Sequence, residues 1–233
     1  ALALGWEHRI PGSARRVAGV EKDGLITAIM LQDLALADSS ARHLHRMARG
    51  ALEASGWPSG FQGRLSTWYL TLAATAYAAA GDTAIVRRLA DSVQMLARRS
   101  TYGRDLQLHH FLRGLVLQRR GMHEAAIEQL RRSLYSLTDG YTRTSLALAR
   151  SLLERRLPAE AIALLRPAIH GGVDGSNSYT SRTELHEALA QAFEQAGQRD
   201  SAVAHYAVVE QNWRRADPEF RDRYLRARLK TGR

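Results

Sequence analysis

Apolar residues recur at every third or fourth position along most of this chain, which is the spacing of one buried face of an α-helix. From residue 65 onward the periodic segments come in pairs, each joined by a short turn that carries Gly or a polar residue. The predicted pairs are 65–80 with 83–97, 106–119 with 123–137, 142–155 with 158–169, and 181–196 with 199–213. Residues 24–55 predict one more pair, with apolar positions up to Leu36 on its first helix and from Leu44 on its second, and the Gly-rich segment 55–63 separates it from the rest. The pattern therefore predicts an all-α protein.

The helix pairs carry small residues at matching positions. Val86, Ala126, Ala161 and Ala202 occupy the same place early in the second helices and are 40, 35 and 41 residues apart. The small and turn residues of the second pair are Gly114, Gly121 and Ala126, and those of the fourth pair are Ala190, Gly197 and Ala202. In the third pair Arg156 stands at the position of the turn glycine. These residues resemble the tetratricopeptide repeat, a helix–turn–helix unit of about 34 residues.

The resemblance implies a right-handed α-solenoid in which antiparallel helix pairs stack side by side. Residues 64–216 would form four repeats, residues 217–233 a C-terminal capping helix, and residues 1–63 a helical pair that is either a diverged repeat or the remnant of an upstream region. The capping helix is expected to bury an apolar stripe of Phe220, Tyr224, Leu225 and Leu229 and to expose Arg221, Arg223, Arg226 and Arg228. The insertion 171–178 is expected to form a surface loop.

In the family that the chain resembles, the first helix of each pair lines a concave ligand-binding surface. Carried over position by position, that surface comprises Trp68, Thr71, Thr75, Leu108, Phe111, Leu115, Gln118, Arg119, Arg143, Leu146, Arg150, Glu184, Glu187 and Gln191. Aromatic anchors beside arginines suit an extended or helical peptide with acidic and apolar residues. The alternative is that Phe111 and Leu115 pack against the neighbouring repeat.

The chain is strongly basic, with 33 Lys and Arg against 23 Asp and Glu and a formal net charge of +10. Only Lys22 and Lys230 are lysines, so almost all of the positive charge is arginine. Arginines can neutralise nucleic-acid phosphates, but here they are spread along the chain in pairs and no RNA-binding motif accompanies them. Many pairs end predicted helices, where they meet the negative end of the helix dipole. An acidic protein surface or an anionic membrane face is a third use for them.

Residues that could support catalysis are few. The chain has no Cys, and no dinucleotide-binding, P-loop or nucleophile-elbow motif occurs in it. Nine histidines are present, but the adjacent His109 and His110 point about 100° apart on a helix, and the others have no metal-binding spacing. We therefore expect no enzymatic activity, no cofactor and no metal. No apolar stretch approaches the roughly 20 residues that span a bilayer.

The function that the sequence favours is a non-catalytic protein-interaction scaffold or adaptor that binds a partner peptide or protein, acidic partners included, in the concave groove. The alternatives are a structural subunit of a larger assembly that docks through an arginine-rich surface and, less favoured, a nucleic-acid-binding repeat protein. Residues 202–229 resemble the closing repeat of multidomain bacterial signalling proteins. Because the chain begins at Ala1, we expect a processed product or a fragment, soluble, with the cytoplasm favoured over the periplasm.

Overall fold

The computed structural model describes residues 34–53, 56, 58–134, 143–170 and 180–232, and all regular structure within them is helical. The α-helices are α1 (Leu34–Glu53), α2 (Ser59–Ala80), α3 (Thr83–Ala97), α4 (Leu108–Arg119), α5 (His123–Arg132), α6 (Arg143–Glu154), α7 (Pro158–His170), α8 (Arg182–Gln195), α9 (Arg199–Trp213) and α10 (Arg221–Thr231). Short 3₁₀ helices cover Gly103–Gln107 and Pro218–Phe220. The all-α prediction is confirmed for this part of the chain. The predictions for residues 1–33 and for the loop at 171–178 lie outside the described residues.

The helices form two compact units, residues 1–106 and 107–233. In the described part of the first unit, α2 packs against both α1 and α3. In the second unit, each helix from α4 to α10 packs against the next one along the chain, and α6 also contacts α4 and α8. The predicted first repeat, α2 with α3, therefore lies in the first unit, and the other three predicted repeats lie in the second. No helix in the described ranges is both long and apolar enough to cross a bilayer.

Four helix pairs are joined by turns of the same geometry. The chain takes the left-handed conformation at Gly81, Gly121, Arg156 and Gly197, with φ of 91°, 71°, 57° and 72°. At each turn the following residue donates its backbone N–H to the carbonyl five residues earlier, at 2.9 to 3.0 Å. This is the Schellman hydrogen bond that closes a helix C-terminus. Arg156 adopts the same conformation as the three glycines, so the pair that lacks a turn glycine keeps the turn.

The small residues stand at constant distances from these turns. Seven residues before each left-handed position are Ala74, Gly114, Ala149 and Ala190, and five residues after it are Val86, Ala126, Ala161 and Ala202. All except Gly114, which is also buried, are at most 5% exposed. At Gly114 an added Cβ would lie 2.6 Å from Cγ of Leu130 on the return helix. The predicted correspondence between the four pairs is therefore present in their turns and contacts.

The break that the sequence predicted between Leu36 and Leu44 does not occur, because α1 is one continuous helix. The intervening segment contains no Gly or Pro, and Asp38 pairs with Arg42 at 2.8 Å one turn apart. A carboxylate four residues before a cation favours a helix at that point.

The separating segment predicted at 55–63 is shorter than expected, because α2 begins at Ser59, directly after Pro58. Gly60 and Gly63 therefore lie inside the helix. An added Cβ at Gly63 would lie 2.8 Å from the backbone carbonyl carbon of Arg99. These glycines allow close packing rather than breaking the helix, a use that the sequence pattern alone does not distinguish.

The terminal helix α10 packs on a different face from the predicted one. Leu225 and Leu229 are 38% and 78% exposed, whereas Ala227 is 1% exposed. The side chain of Arg223, predicted to face solvent, is only 17% exposed. The guanidinium of Arg223 lies 4.2 Å from the ring centroid of Trp213, so cation–π and ionic contacts decide which face of α10 packs.

Candidate partner-binding site

Four of the fourteen residues assigned to partner binding are fully buried, which corrects their assignment to an open groove. Thr71, Leu108, Phe111 and Leu146 are each 1% exposed. The three apolar side chains fill the core, and the hydroxyl of Thr71 donates to the carbonyl of Thr67 at 2.8 Å within α2. For Phe111 the alternative role as a packing residue is therefore the correct one. The apolar residues at these positions of the first helices therefore serve helix packing.

Thr75, Arg143 and Glu184 are also buried, at 6%, 7% and 2% exposed. The other predicted residues stay at least partly accessible. Trp68 is half-buried in the first unit, and its ring stacks on Tyr69 with centroids 5.3 Å apart. Leu115 is half-buried on α4, whereas Arg119 and Gln191 are exposed on α4 and α8. Gln118 contacts the next first helix, since its amide donates to the carbonyl of Ala147 at 2.6 Å and to Oγ of Ser151 at 2.8 Å. That residue therefore joins α4 to α6.

The first helices of the second unit and the terminal helix bring charged side chains together. We name this group the arginine–glutamate cluster, and it comprises Arg143, Arg150, Glu184, Glu187 and Arg223. Four of these were predicted from the sequence. Arg223 was missed as a site residue, because the periodicity of α10 assigned it to the solvent face.

The carboxylate of Glu184 is fixed by the start of its own helix. Ser181 caps α8 by accepting the backbone N–H of Glu184, and the Ser181 N–H donates back to Oε2 of Glu184 at 3.0 Å. This capping box holds the carboxylate close to the helix end. Oε2 of Glu184 lies 3.6 Å from Nη2 of Arg143, an ion pair beyond hydrogen-bond distance.

The two arginines of α6 sit in a crowded electrostatic environment. Burial lowers the pKa of Arg143 to about 10, Glu184 opposes that shift, and Arg150 and Arg223 add repulsion. Surrounding protein also lowers the pKa of Arg150, although the residue remains exposed to solvent. For both arginines the attraction of Glu184 is the largest effect of a neighbouring charge, and nearby arginines oppose it.

Glu187 is bound by the terminal helix. Nε of Arg223 donates to both carboxylate oxygens of Glu187, at 3.3 and 3.1 Å, and Nη2 also contacts Oε2. This bidentate geometry suits a guanidinium and a carboxylate. Trp213 stacks on Phe220 with centroids 5.8 Å apart, beside the cation–π contact with Arg223. Because α10 supplies a cation for Glu187, this glutamate is less available to a partner than the sequence predicted.

A histidine pair was not anticipated from the sequence, which treated His186 and His205 as isolated residues. Their Nδ1 atoms are 2.8 Å apart across α8 and α9, and the ring of Phe193 stacks on His205. His110 and Gln129 form the equivalent contact, at 2.9 Å, in the second predicted repeat. Both contacts join the position eleven residues before the turn to the one eight residues after it, so the repeat alignment contains the signal that would have found the pair.

Metal-binding geometry is absent from the described ranges, in which no three or more His, Asp or Glu side chains are grouped to hold an ion. A scan against models of known protein families matched none of them, and a search of curated proteins found no match. Guanidinium groups such as those of the arginine–glutamate cluster can bind anionic groups by hydrogen bonds and charge.

Proposed function

We propose that this chain is a non-catalytic protein-interaction scaffold or adaptor of the tetratricopeptide-like kind, which binds a partner peptide along the first helices of its second unit. The contacts of α6 with both α4 and α8 support this proposal, since first helices that touch in succession form a continuous surface. The repeated turn geometry supports a regular stack of pairs, which we propose to be a right-handed solenoid.

The arginine–glutamate cluster is the single observation that carries the proposal. Together with Arg119, which also acts electrostatically on Arg150, the group has four arginines and two glutamates. Arg143 and Glu184 are buried, whereas Arg119 and Arg150 are exposed. A patch with excess positive charge attracts acidic partners and speeds their association. Leu115 and the exposed Gln191 add apolar and polar contact at its margins. The preferred partner is therefore an acidic peptide segment with some apolar residues.

A photo-crosslinking experiment tests the location of this surface. A photoreactive amino acid is placed at Leu115 or Gln191 on the first helices, and at the exposed Ala163 of α7 as the matched control. We expect crosslinks to a discrete protein partner in the native source from the first two positions and not from the third. The substitution Arg150→Glu should reduce that crosslinking at least about tenfold, because it reverses one charge in the patch.

Other outcomes would assign a different function. Crosslinks of the chain to itself from all three positions would favour the structural-subunit alternative. Crosslinks that disappear after nuclease treatment, with binding that weakens steeply as salt is raised, would favour nucleic acid. Equal capture of the same partner from Ala163 would contradict the proposed surface.

A further inference from the structure

Arg143 is a buried cation with hydrogen-bonding capacity that the described residues do not use. The residue is 7% exposed and begins α6. Among the described residues, neither its Nε nor its Nη2 has a hydrogen-bond partner. These two nitrogens form one edge of the guanidinium, the planar fork that matches two oxygens of a carboxylate or phosphate. A buried donor without an acceptor is unfavourable, so this edge favours the binding of an acceptor.

The neighbouring glutamate does not supply the missing acceptor. Glu184 reaches no closer than 3.6 Å to Nη2 of Arg143, because its Oε2 accepts the N–H of Ser181 at the start of α8. Moving the carboxylate towards Arg143 would break the capping box. The ion pair therefore offsets part of the charge of Arg143 and leaves its hydrogen-bonding edge unfilled.

Arg150 extends the same face of α6 to solvent. It lies seven residues after Arg143, which places it on the same face of α6 about 10 Å further along the axis. Arg150 is exposed and forms no ion pair with the described residues. Charge repulsion couples Arg143, Arg150 and Arg223. An anion between the first two would relieve that repulsion and fill the buried edge.

We infer that Arg143 and Arg150 form an oxyanion-binding subsite, which takes a carboxylate or phosphate group of the bound peptide. The origin of the anion rests on the proposed function, whereas the subsite itself does not. The cluster with Arg119 has four arginines and two glutamates, an excess of two positive charges, so a dianionic phosphate matches it better than a monoanionic carboxylate.

An NMR titration tests the subsite directly. The full chain is labelled with ¹⁵N, and its arginine Nε–Hε signals are followed as inorganic phosphate replaces chloride at constant ionic strength. We expect the signal of Arg143, identified by its loss in Arg143→Lys, to shift and saturate. A saturable rise in melting temperature under the same exchange provides a second measurement that needs no assignment.

Two variants make the test specific. Arg150→Gln should weaken phosphate binding about tenfold or more, because it removes a charge-assisted hydrogen bond. Arg214→Gln, which changes an exposed arginine after α9, should leave the affinity within about twofold. Both residues are exposed, so both variants are expected to fold. A response that does not saturate, or one that is equal in the two variants, would overturn the inference.

A parallel titration with acetate distinguishes the two sources of the oxyanion. Tighter binding of phosphate supports a phosphorylated residue, and saturable binding of acetate alone supports a carboxylate. If phosphate saturates with Arg150 dependence while crosslinking from Leu115 finds no partner, the subsite stands and the proposed function falls. If crosslinking succeeds and neither anion saturates, the proposed function stands and the subsite falls.

Discussion

At the scale of single residues, glycines in helices of the first unit have two distinct environments. An added Cβ at Gly50 in α1 would meet nothing within 4 Å, whereas one at Gly63 in α2 would meet the backbone of Arg99 at 2.8 Å. Backbone atoms move less readily than the end of a side chain. The same residue type is therefore replaceable at one position and required at the other.

The substitution Gly63→Ala is expected to lower the free energy of unfolding by about 1 to 3 kcal/mol, because the new methyl group is forced against a packed backbone. Gly50→Ala is the matched control and should raise it by about 0.5 to 1 kcal/mol through the helix propensity of alanine. Urea denaturation of both variants measures the two changes. Stabilisation by both substitutions would show that α2 does not pack closely on the chain near Arg99.

At the scale of helices, the small residues after each turn determine how closely two helices approach. Ala126 and Ala202 are 0% and 5% exposed, and each lies five residues after a left-handed turn residue. Their first helices present Gly114 and Ala190 at the equivalent position of the two pairs. Close approach of this kind leaves no room for a larger side chain.

Ala126→Leu and Ala202→Leu should each lower the free energy of unfolding by about 1 to 3 kcal/mol through overpacking. Ala163→Leu adds the same side chain at an exposed site on α7 and should change it by less than about 0.5 kcal/mol. Chemical denaturation monitored by circular dichroism at 222 nm provides the measurement. Equal effects at all three sites would mean that the first two alanines are not at helix contacts.

The sequence predicted the paired helices well because their turns contain local signals. The bounds of α3 and α9 agree with prediction, and those of α6 and α8 differ by one residue at each end. The continuity of α1 was predictable, since the segment between Leu36 and Leu44 has no Gly or Pro and Asp38 precedes Arg42 by four residues. The packing face of α10 was not, because it depends on contacts of Arg223 with Trp213 and Glu187 on other helices. For the candidate site, the resemblance to the tetratricopeptide repeat assigned Arg143, Arg150 and Glu184 to first helices, and they lie on α6 and α8. That assignment could not distinguish residues of the charged cluster from core residues such as Phe111, because both kinds occupy inward positions of the first helices.

At the scale of the whole molecule, the histidine pair links stability to pH. Burial is the main cause that lowers the pKa of His205 to about 4, and the charges of His186, Arg166 and His170 lower it further. Burial, followed by Arg182 and His170, also lowers the pKa of His186. In the unfolded chain both return towards the ordinary value of 6.5. Between these pH values the unfolded state binds more protons than the folded state, so stability falls as the pH falls from about 6.5 towards 4.

The melting temperature of the intact chain should therefore decrease as the pH is lowered from 7 to 4.5, and His205→Gln should make that decrease smaller. The amide cannot be protonated in this range and so removes one of the linked sites. His45→Gln, at an exposed histidine on α1, is the control and should leave the pH dependence unchanged. Identical pH profiles for the two variants would contradict the role of His205.

The constant turn geometry also determines where this chain can change its length. In all four pairs the small residues lie seven residues before and five residues after the left-handed position. The distances between successive left-handed positions nevertheless differ, at 40, 35 and 41 residues. The difference falls mainly in the second helices, since α3, α5 and α7 have 15, 10 and 13 residues. An affinity handle or fluorescent label is accordingly better inserted after the C-terminal end of a second helix than at the four turns.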